Sequence, residues 1–299
     1  LKRKVFVAMS GGVDSSVAAK LLKDAGYEVA GVFLHFWKPA SSVDREENFE
    51  NKCCSIKALM DARRVCRKIG IPLYTINFAK IFKKEVVDDF LSEYGVGRTP
   101  NPCVRCNKLV KLGLLIKKAR ELGFDYVASG HYARRRREVP NSPSSRAQAE
   151  GKFQIPKIKL CKARDKEKDQ SYFLYTLNQD ELSRLFFPLG DYTKDEVRKL
   201  AKKFGLPVAE KKESQEICFI SGKSHNDFLK RYLKLKSGPI VILRPQAKGS
   251  REKWTASAKE MVVGRHQGLP LYTIGQRKGV EIGGTGPYYV AKQDYKTNT

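Results

Sequence analysis

The sequence contains no apolar run approaching the ~18–20 residues that a membrane-spanning helix needs, although 41% of its 299 residues are hydrophobic. That share is enough for ordinary globular cores, and the length predicts two domains with part of a third. No signal peptide is visible, because a strand-like run starts within the first few residues. Leu1 is not a Met, which leaves room for a preceding segment. The expected location is the cytoplasm, with an organellar matrix as the alternative. Acidic residues are scarce: 32 Asp and Glu stand against 58 Lys and Arg, a formal +26. A surplus of that size favours a polyanionic partner, nucleic acid first. A thermophile surface would raise Glu along with Lys, and no amphipathic anchor points to a membrane. Internal repeats are missing too. Histidines number four, and His35, His225 and His266 show no metal-ligand spacing, so no metal is assigned. The seven cysteines are an odd count in a chain with no export signal, which argues for reduced thiols over a disulfide framework.

What is present begins with "VFVAMSGGVDSSVAAKLLKDAGYEVAGVFL", residues 5–34. Val5–Met9 and Val29–Phe36 have strand character, and Val17, Ala18, Leu21 and Leu22 recur at helical spacing up to a stop at Gly26. A glycine pair between strand and helix lets the backbone approach a ligand, and the helix N-terminus offers N–H groups to an anion. Ser10, Ser15 and Ser16 add hydroxyls. No Lys follows Gly11 or Gly12 at P-loop spacing, and the Gly-x-Gly-x-x-Gly fingerprint is absent. The turn resembles the PP-loop, Ser-Gly-Gly-x-Asp-Ser, of ATP pyrophosphatases, which adenylate a substrate oxygen and release pyrophosphate. The plainer alternative is a tight turn that uses small residues for packing alone.

Alternation continues with helix "SIKALMDARRVCRKIG", strand "IPLYTINF", helix "KLVKLGLLIKKARELG" and strand "FDYVASGHY", which ends at Gly130-His131. Strands alternating with helices imply a parallel sheet with ligands at the strand C-terminal ends. Cys66 falls on the stripe Ala58, Leu59, Ala62, Val65 and Ile69, a core position. Residues 134–168 break the pattern with 12 Lys/Arg and four Asp/Glu, a local +8, and read as a mobile surface insertion able to guide an RNA backbone. In "DYTKDEVRKLAKKFGLP", Thr193 and Glu196 fit a capping box, Val197, Leu200, Ala201 and Phe204 form a stripe, and Gly205 with Pro207 ends the helix. Beyond about residue 220 the texture turns to short strands, with "REKWTASAKE" as a second insertion.

Five further stretches follow the PP-loop in order: "GRTPNPCVRCNKLVK" (97–111), "SGHYAR" (129–134), "KDQSYFLYTL" (168–177), "ESQEICFI" (213–220) and "GRHQGLPLYTIGQRKGV" (264–280). Together they resemble the tRNA-specific 2-thiouridylases, which replace O2 of the wobble uridine (U34) with sulfur. The likeness spans roughly residues 3–292, broken by the two insertions. It implies an α/β fold with a doubly wound parallel sheet of the PP-loop, adenine nucleotide α-hydrolase type, a small partly β central domain and the start of a C-terminal β-barrel. The expected boundaries are 1–220 for the PP-loop catalytic domain, with the basic insertion at about 134–160. Residues 221–286 form the central tRNA-binding domain, and 287–299 begin a truncated C-terminal β domain.

The resemblance also implies roles. ATP would be held by Ala8, Met9, Ser10, Gly11, Gly12, Val13, Asp14, Ser15, Ser16, Leu34 and Gly130, with Mg²⁺ neutralising charge. Cys106 matches the family's nucleophile and Cys218 its persulfide carrier, leaving a Cys106–Cys218 disulfide after transfer. Asn101, Pro102 and Cys103 fall where the family meets the target base. His131, Lys168, Asp169, Gln170 and Gln276 fall at its tRNA contacts. Expected partners are tRNA, with glutamate, glutamine and lysine acceptors, and a persulfide donor, either a cysteine desulfurase or a relay protein. Arg105, Lys108 and Lys111 would favour the Cys106 thiolate. Many family members carry Asp where this chain has Cys103. Three alternatives stay open: another PP-loop ligase or amidotransferase, an iron–sulfur thiolase holding a cluster on Cys103, Cys106 and Cys218, and a zinc module using "CVRC" with Cys53 and Cys54.

Overall fold

A computed structural model describes residues 2–37, 55–138, 157–212, 217–220, 224–243, 260–280, 282–283 and 287–299. Two compact units divide the chain, one of residues 1–87 and 102–221, the other of 88–101 and 222–299. Cys53, Cys54, most of the second insertion and the middle of the first lie outside the described residues.

The first unit is built on a five-stranded parallel sheet. Strand β1 (Lys4–Met9) leads into helix α1 (Val13–Asp24), β2 (Glu28–His35), α2 (Ile56–Ile69) and β3 (Leu73–Asn77). Short helix α3 (Ala79–Phe82) runs into a π-helical turn at Lys83–Asp88, and α4 (Asp89–Gly95), which follows it, belongs to the second unit. Next come α5 (Pro102–Cys106), α6 (Gly113–Glu121) and β4 (Tyr126–Ala128). Strands β5 (Arg134–Arg137) and β6 (Ile158–Cys161) precede α7 (Gln179–Ser183), β7 (Leu185–Phe186) and α8 (Lys194–Lys203). The strand order is β3-β2-β1-β4-β7, the doubly wound arrangement expected from the alternation. Central β1 is covered on both faces, so Val5 to Met9 are all buried, as a strand inside a parallel sheet requires.

Local chemistry sets the helix ends. Ser55 Oγ accepts from Ala58 N at 3.1 Å to start α2, and Gly70 stops it in a left-handed conformation with φ 66°. Ala58, Ala62, Val65, Cys66 and Ile69 face the core, as their spacing predicts. Burial pushes the Cys66 thiol up to about 12, so it packs as a small hydrophobe. Thr193 and Glu196 form the reciprocal capping box of α8.

The basic insertion needs a correction at its base. Arg134–Arg137 is a strand paired antiparallel with Ile158–Cys161, not part of a surface loop. An all-arginine strand hides the period-2 alternation that marks other strands. Arg135 turns inward, donating to Leu182 O at 3.0 Å and Ser183 O at 2.8 Å while its guanidinium lies 4.6 Å over the Phe186 ring.

In the second unit, α9 (His225–Tyr232) joins α4 through the ring cluster of Phe90, Tyr94, His225 and Phe228. Strands β8 (Gly238–Leu243) and β9 (Glu260–His266) pair antiparallel with a bulge at Ile240/Val241. Residues 287–299 bond into this unit: Val290 N donates to Gln276 O at 3.0 Å, and Gln293 Nε2 to Tyr272 O at 2.8 Å. Among the described residues no helix is long and apolar enough to cross a membrane.

Candidate active site

Register places the turn that follows β1. Met9 pairs with Phe33, and Val7 with Ala128, so Ser10 emerges level with Leu34 and Gly130 lies level with Met9. The turns after β1 and β4 therefore share one end of the sheet, where the strand order switches direction. Gly11 sits at φ 68°, and a Cβ there would meet Ala58 O at 2.2 Å, so only glycine fits. A Cβ on Gly130 would meet Ser15 N at 2.7 Å, which brings that peptide directly over the start of α1. No side chain caps α1 at Gly12. Its first N–H groups, lined by two glycines, form a cradle that fits phosphate.

The serines close the turn on itself. Ser15 Oγ lies 3.2 Å from both Ser10 N and Ser10 Oγ, and Ser16 Oγ donates to Gly12 O at 2.7 Å. Asp14 faces a cationic partner that sequence reasoning missed. The buried ammonium of Lys194 lies 2.7 and 2.9 Å from its two carboxylate oxygens, and Tyr132 donates its hydroxyl to Oδ1 at 2.9 Å. Lys194 opens α8, where the helix dipole disfavours a cation, and that misplaced charge is the one sequence signal it carries. It also lines an open cavity of about 460 Å³, with Lys168, Arg198 and Lys212 facing Asp165 and Glu167.

A second missed pair holds the loop from below. Lys211 Nζ donates to Gly11 O at 2.9 Å and to Asp61 Oδ2 at 2.6 Å, while Arg64 takes Asp61 Oδ1. Burial opposes ionisation of Asp61, but the bonds from Lys211 and Arg64 overcome it and hold the carboxyl below its usual range.

Cys103 and Cys106 lie one helical turn apart on α5, both half-buried, and α5 runs into a π-helical turn at Asn107–Lys111. Two of the three nearby cations are already engaged. Arg105 pairs with Glu85 Oε2 at 3.5 Å and also donates to Glu85 O, and Lys108 lies 2.6 Å from Glu181 Oε2. Cys218 is half-buried on the turn 217–220, whose Phe219 is fully buried and meets the Phe82 ring edge-on at 5.8 Å. Phe219 thus docks on Phe82 and Arg105 on Glu85, so the segments bearing the two cysteines share one short stretch of chain. Among the described residues, no three His, Cys, Asp or Glu side chains converge as metal ligands would, Cys103, Cys106 and Cys218 included.

The other expected residues are placed as follows. Pro102 is buried at the start of α5, and Asn101 before it is exposed. His131 is buried with Nδ1 2.8 Å from Ser129 Oγ. Desolvation, aided by the charge of Lys111, keeps its titration well below 6.5, so the ring is neutral at pH 7. Asp169 accepts from Ala163 N and Ser171 Oγ, both at 2.8 Å, and Gln170 Oε1 accepts from Tyr132 N at 3.0 Å. Gln276 braces its own turn, accepting from Thr273 N and donating to Lys278 O, both at 2.9 Å.

Comparison with known proteins gives a consistent picture. One family model, described as the tRNA methyl transferase HUP domain, matches residues 3–222; a second, the tRNA methyl transferase PRC-barrel domain, matches 226–299. The tRNA-specific 2-thiouridylase MnmA of Roseiflexus castenholzii is 47% identical over 297 residues, covering 99% of this chain and 75% of that protein. The proteins of the same name from Carboxydothermus hydrogenoformans and Moorella thermoacetica are each 46% identical. They cover 99% and 98% of this chain, and 73% and 74% of their own lengths. A solved 4-thiouridine synthetase–RNA complex with bound ATP is far more distant, with 17% identity, 77% of this chain and 49% of that chain covered, and a TM-score of 0.39. That likeness is too slight to argue from.

Proposed function

The chain belongs to the tRNA-specific 2-thiouridylase family, and from that premise we propose how its residues carry out ATP-dependent 2-thiolation of the wobble uridine. Uracil O2 is a very poor leaving group, so it must first be made a good one. O2 attacks the α-phosphorus of ATP, the O2–P bond forms, and pyrophosphate leaves with the electron pair of the broken P–O bond. The Gly11–Gly12 turn and the uncapped start of α1 are built to hold that pyrophosphate as charge develops on it. Gly130, Leu34, Ala8 and Met9 border the same turn. Mg²⁺, when bound, neutralises phosphate charge; Asp14 is the loop's carboxylate, already oriented by Lys194 and Tyr132.

Sulfur then arrives as a persulfide on Cys218. Its terminal sulfur bonds to C2, the C2–O2 bond breaks, and AMP departs. The Cys106 thiolate attacks the inner sulfur, which releases the transferred atom and leaves a Cys106–Cys218 disulfide for an external thiol to reduce. One observation supports this pairing above the rest: Phe219 and Arg105, the neighbours of the two cysteines, dock on Phe82 and Glu85 of one segment. Asn101, Pro102 and Cys103 receive the target base, turned out of its stack. His131, Lys168, Asp169, Gln170 and Gln276 serve the tRNA surface. The acceptors are glutamate, glutamine and lysine tRNAs, and the sulfur donor is a cysteine desulfurase or its relay.

The test is nucleoside mass spectrometry on a wobble-uridine tRNA transcript incubated with protein, ATP, Mg²⁺ and a persulfide donor, a cysteine desulfurase supplied with cysteine. We expect 2-thiouridine only when ATP is present and only with Cys106 intact, while Cys106→Ser still releases pyrophosphate. Pyrophosphate release that does not depend on RNA would instead mark a small-molecule ligase.

A further inference from the structure

Tyr172 and Tyr175, in the first unit, are 63% and 66% exposed. Tyr172 lies within the 3₁₀ turn Ser171–Leu174 and Tyr175 caps its end, a spacing of three residues at which side chains of a 3₁₀ helix eclipse. The rings accordingly stack, with centroids 5.9 Å apart and planes 30° from parallel. Leu174 and Leu177 point into the core beneath them. Asn107 Nδ2 donates to Phe173 O at 3.3 Å, which fastens the turn to the residue after Cys106. At its other end Gln170 N donates to Tyr132 O at 2.8 Å, next to His131. Helix α5, which carries Cys103 and Cys106, packs against the same turn.

A fixed, outward pair of aromatic rings beside a reactive thiol leaves apolar faces in water that a partner would cover. The charge decides what kind of partner. A chain of +26, with a local +8 immediately before this turn in sequence, selects a polyanion. A polyanion with flat apolar faces is a nucleic acid, and unpaired RNA bases are the ones free to stack on tyrosine. We propose that Tyr172 and Tyr175 form a stacking platform for an unpaired base of the RNA, flanking the nucleotide that enters the Cys106 site. The proposal rests on the thiouridylase reading, and it gives the platform a job: replacing the neighbour that the flanking base loses when the target uridine is turned out.

The test uses an anticodon stem-loop RNA with 2-aminopurine placed in turn at each loop position beside the wobble uridine. The wild-type protein should quench one of these positions on binding. The double variant Tyr172→Leu/Tyr175→Leu should lose the quench and bind the stem-loop about tenfold more weakly. Its KM for tRNA should rise while the rate at saturating tRNA stays within about twofold, since no reacting atom is touched. Tyr172→Phe/Tyr175→Phe should behave as wild type, because only the ring face is used. A fully paired RNA of equal length should bind both proteins alike. Unchanged affinity and quench in the Leu variant would overturn the platform. So would normal RNA binding combined with lost persulfide uptake from a desulfurase, which would make the rings a protein-docking surface. The wild-type arm decides the premise separately: if that protein neither binds nor thiolates the stem-loop, the thiouridylase reading itself has failed.

Discussion

Replacing Lys211 with Met keeps the length of the side chain and deletes its ammonium. The Asp61 carboxylate beneath it is only 4% exposed, and Lys211 and Arg64 together neutralise it. Removing one partner of a buried ion pair costs roughly 3–5 kcal/mol. Lys211 is itself 33% exposed and Arg64 remains, so the expected cost is about 2 kcal/mol. For a unit of this size that is a fall in melting temperature of roughly 4–8 °C. The same change strips Gly11 O of its donor at 2.9 Å, loosening the left-handed turn proposed to cradle phosphate, so KM for ATP should rise. Two assays separate the effects. In thermal unfolding, Asp61→Asn/Lys211→Met should recover most of the lost stability, because no buried charge is left alone. In pyrophosphate release, the double variant should stay impaired, because the Gly11 carbonyl still lacks its donor. The pH dependence has a definite sign. Asp61 ionises below its ordinary value of 3.8 in the folded state. Its stabilisation is therefore complete above that value and is lost as pH falls through the lower folded value. In Lys211→Met the acid loss should begin at higher pH. A single variant that melts within about 1 °C of wild type, or a double variant no more stable than the single, would refute this reasoning.

Two further outcomes follow from the same geometry. Gly130→Ala should lower ATP-dependent pyrophosphate release roughly 100-fold, because its Cβ would sit 2.7 Å from Ser15 N at the phosphate cradle; near-normal turnover would place the nucleotide elsewhere. Peptide mass spectrometry after maleimide treatment at pH 8 should find Cys103, Cys106 and Cys218 modified and Cys66 untouched. The first three are partly accessible, whereas the Cys66 thiol is buried and pushed up to about 12. Modification of Cys66 at a comparable rate would contradict the core packing of α2.

The sequence by itself determined what depends on neighbours along the chain. The strand–glycine–helix turn at 5–24, the stripe of α2, the capping box at Thr193 and the Cys103–Cys106 spacing are all patterns within one or two turns of backbone. They recur in the structure where expected. The two-residue strand Leu185–Phe186 was too short to leave a period, and the arginine strand had no apolar residue to mark one. Tertiary structure alone decided what holds the cradle in shape. Lys194 reaches Asp14 across 180 residues of sequence, and Lys211 reaches Asp61 across 150. A lysine destined to neutralise a buried carboxylate looks the same in a list of residues as one bound for solvent. Only folding, by taking water away from the Asp61 carboxylate and the Lys194 ammonium, makes their partner charges necessary.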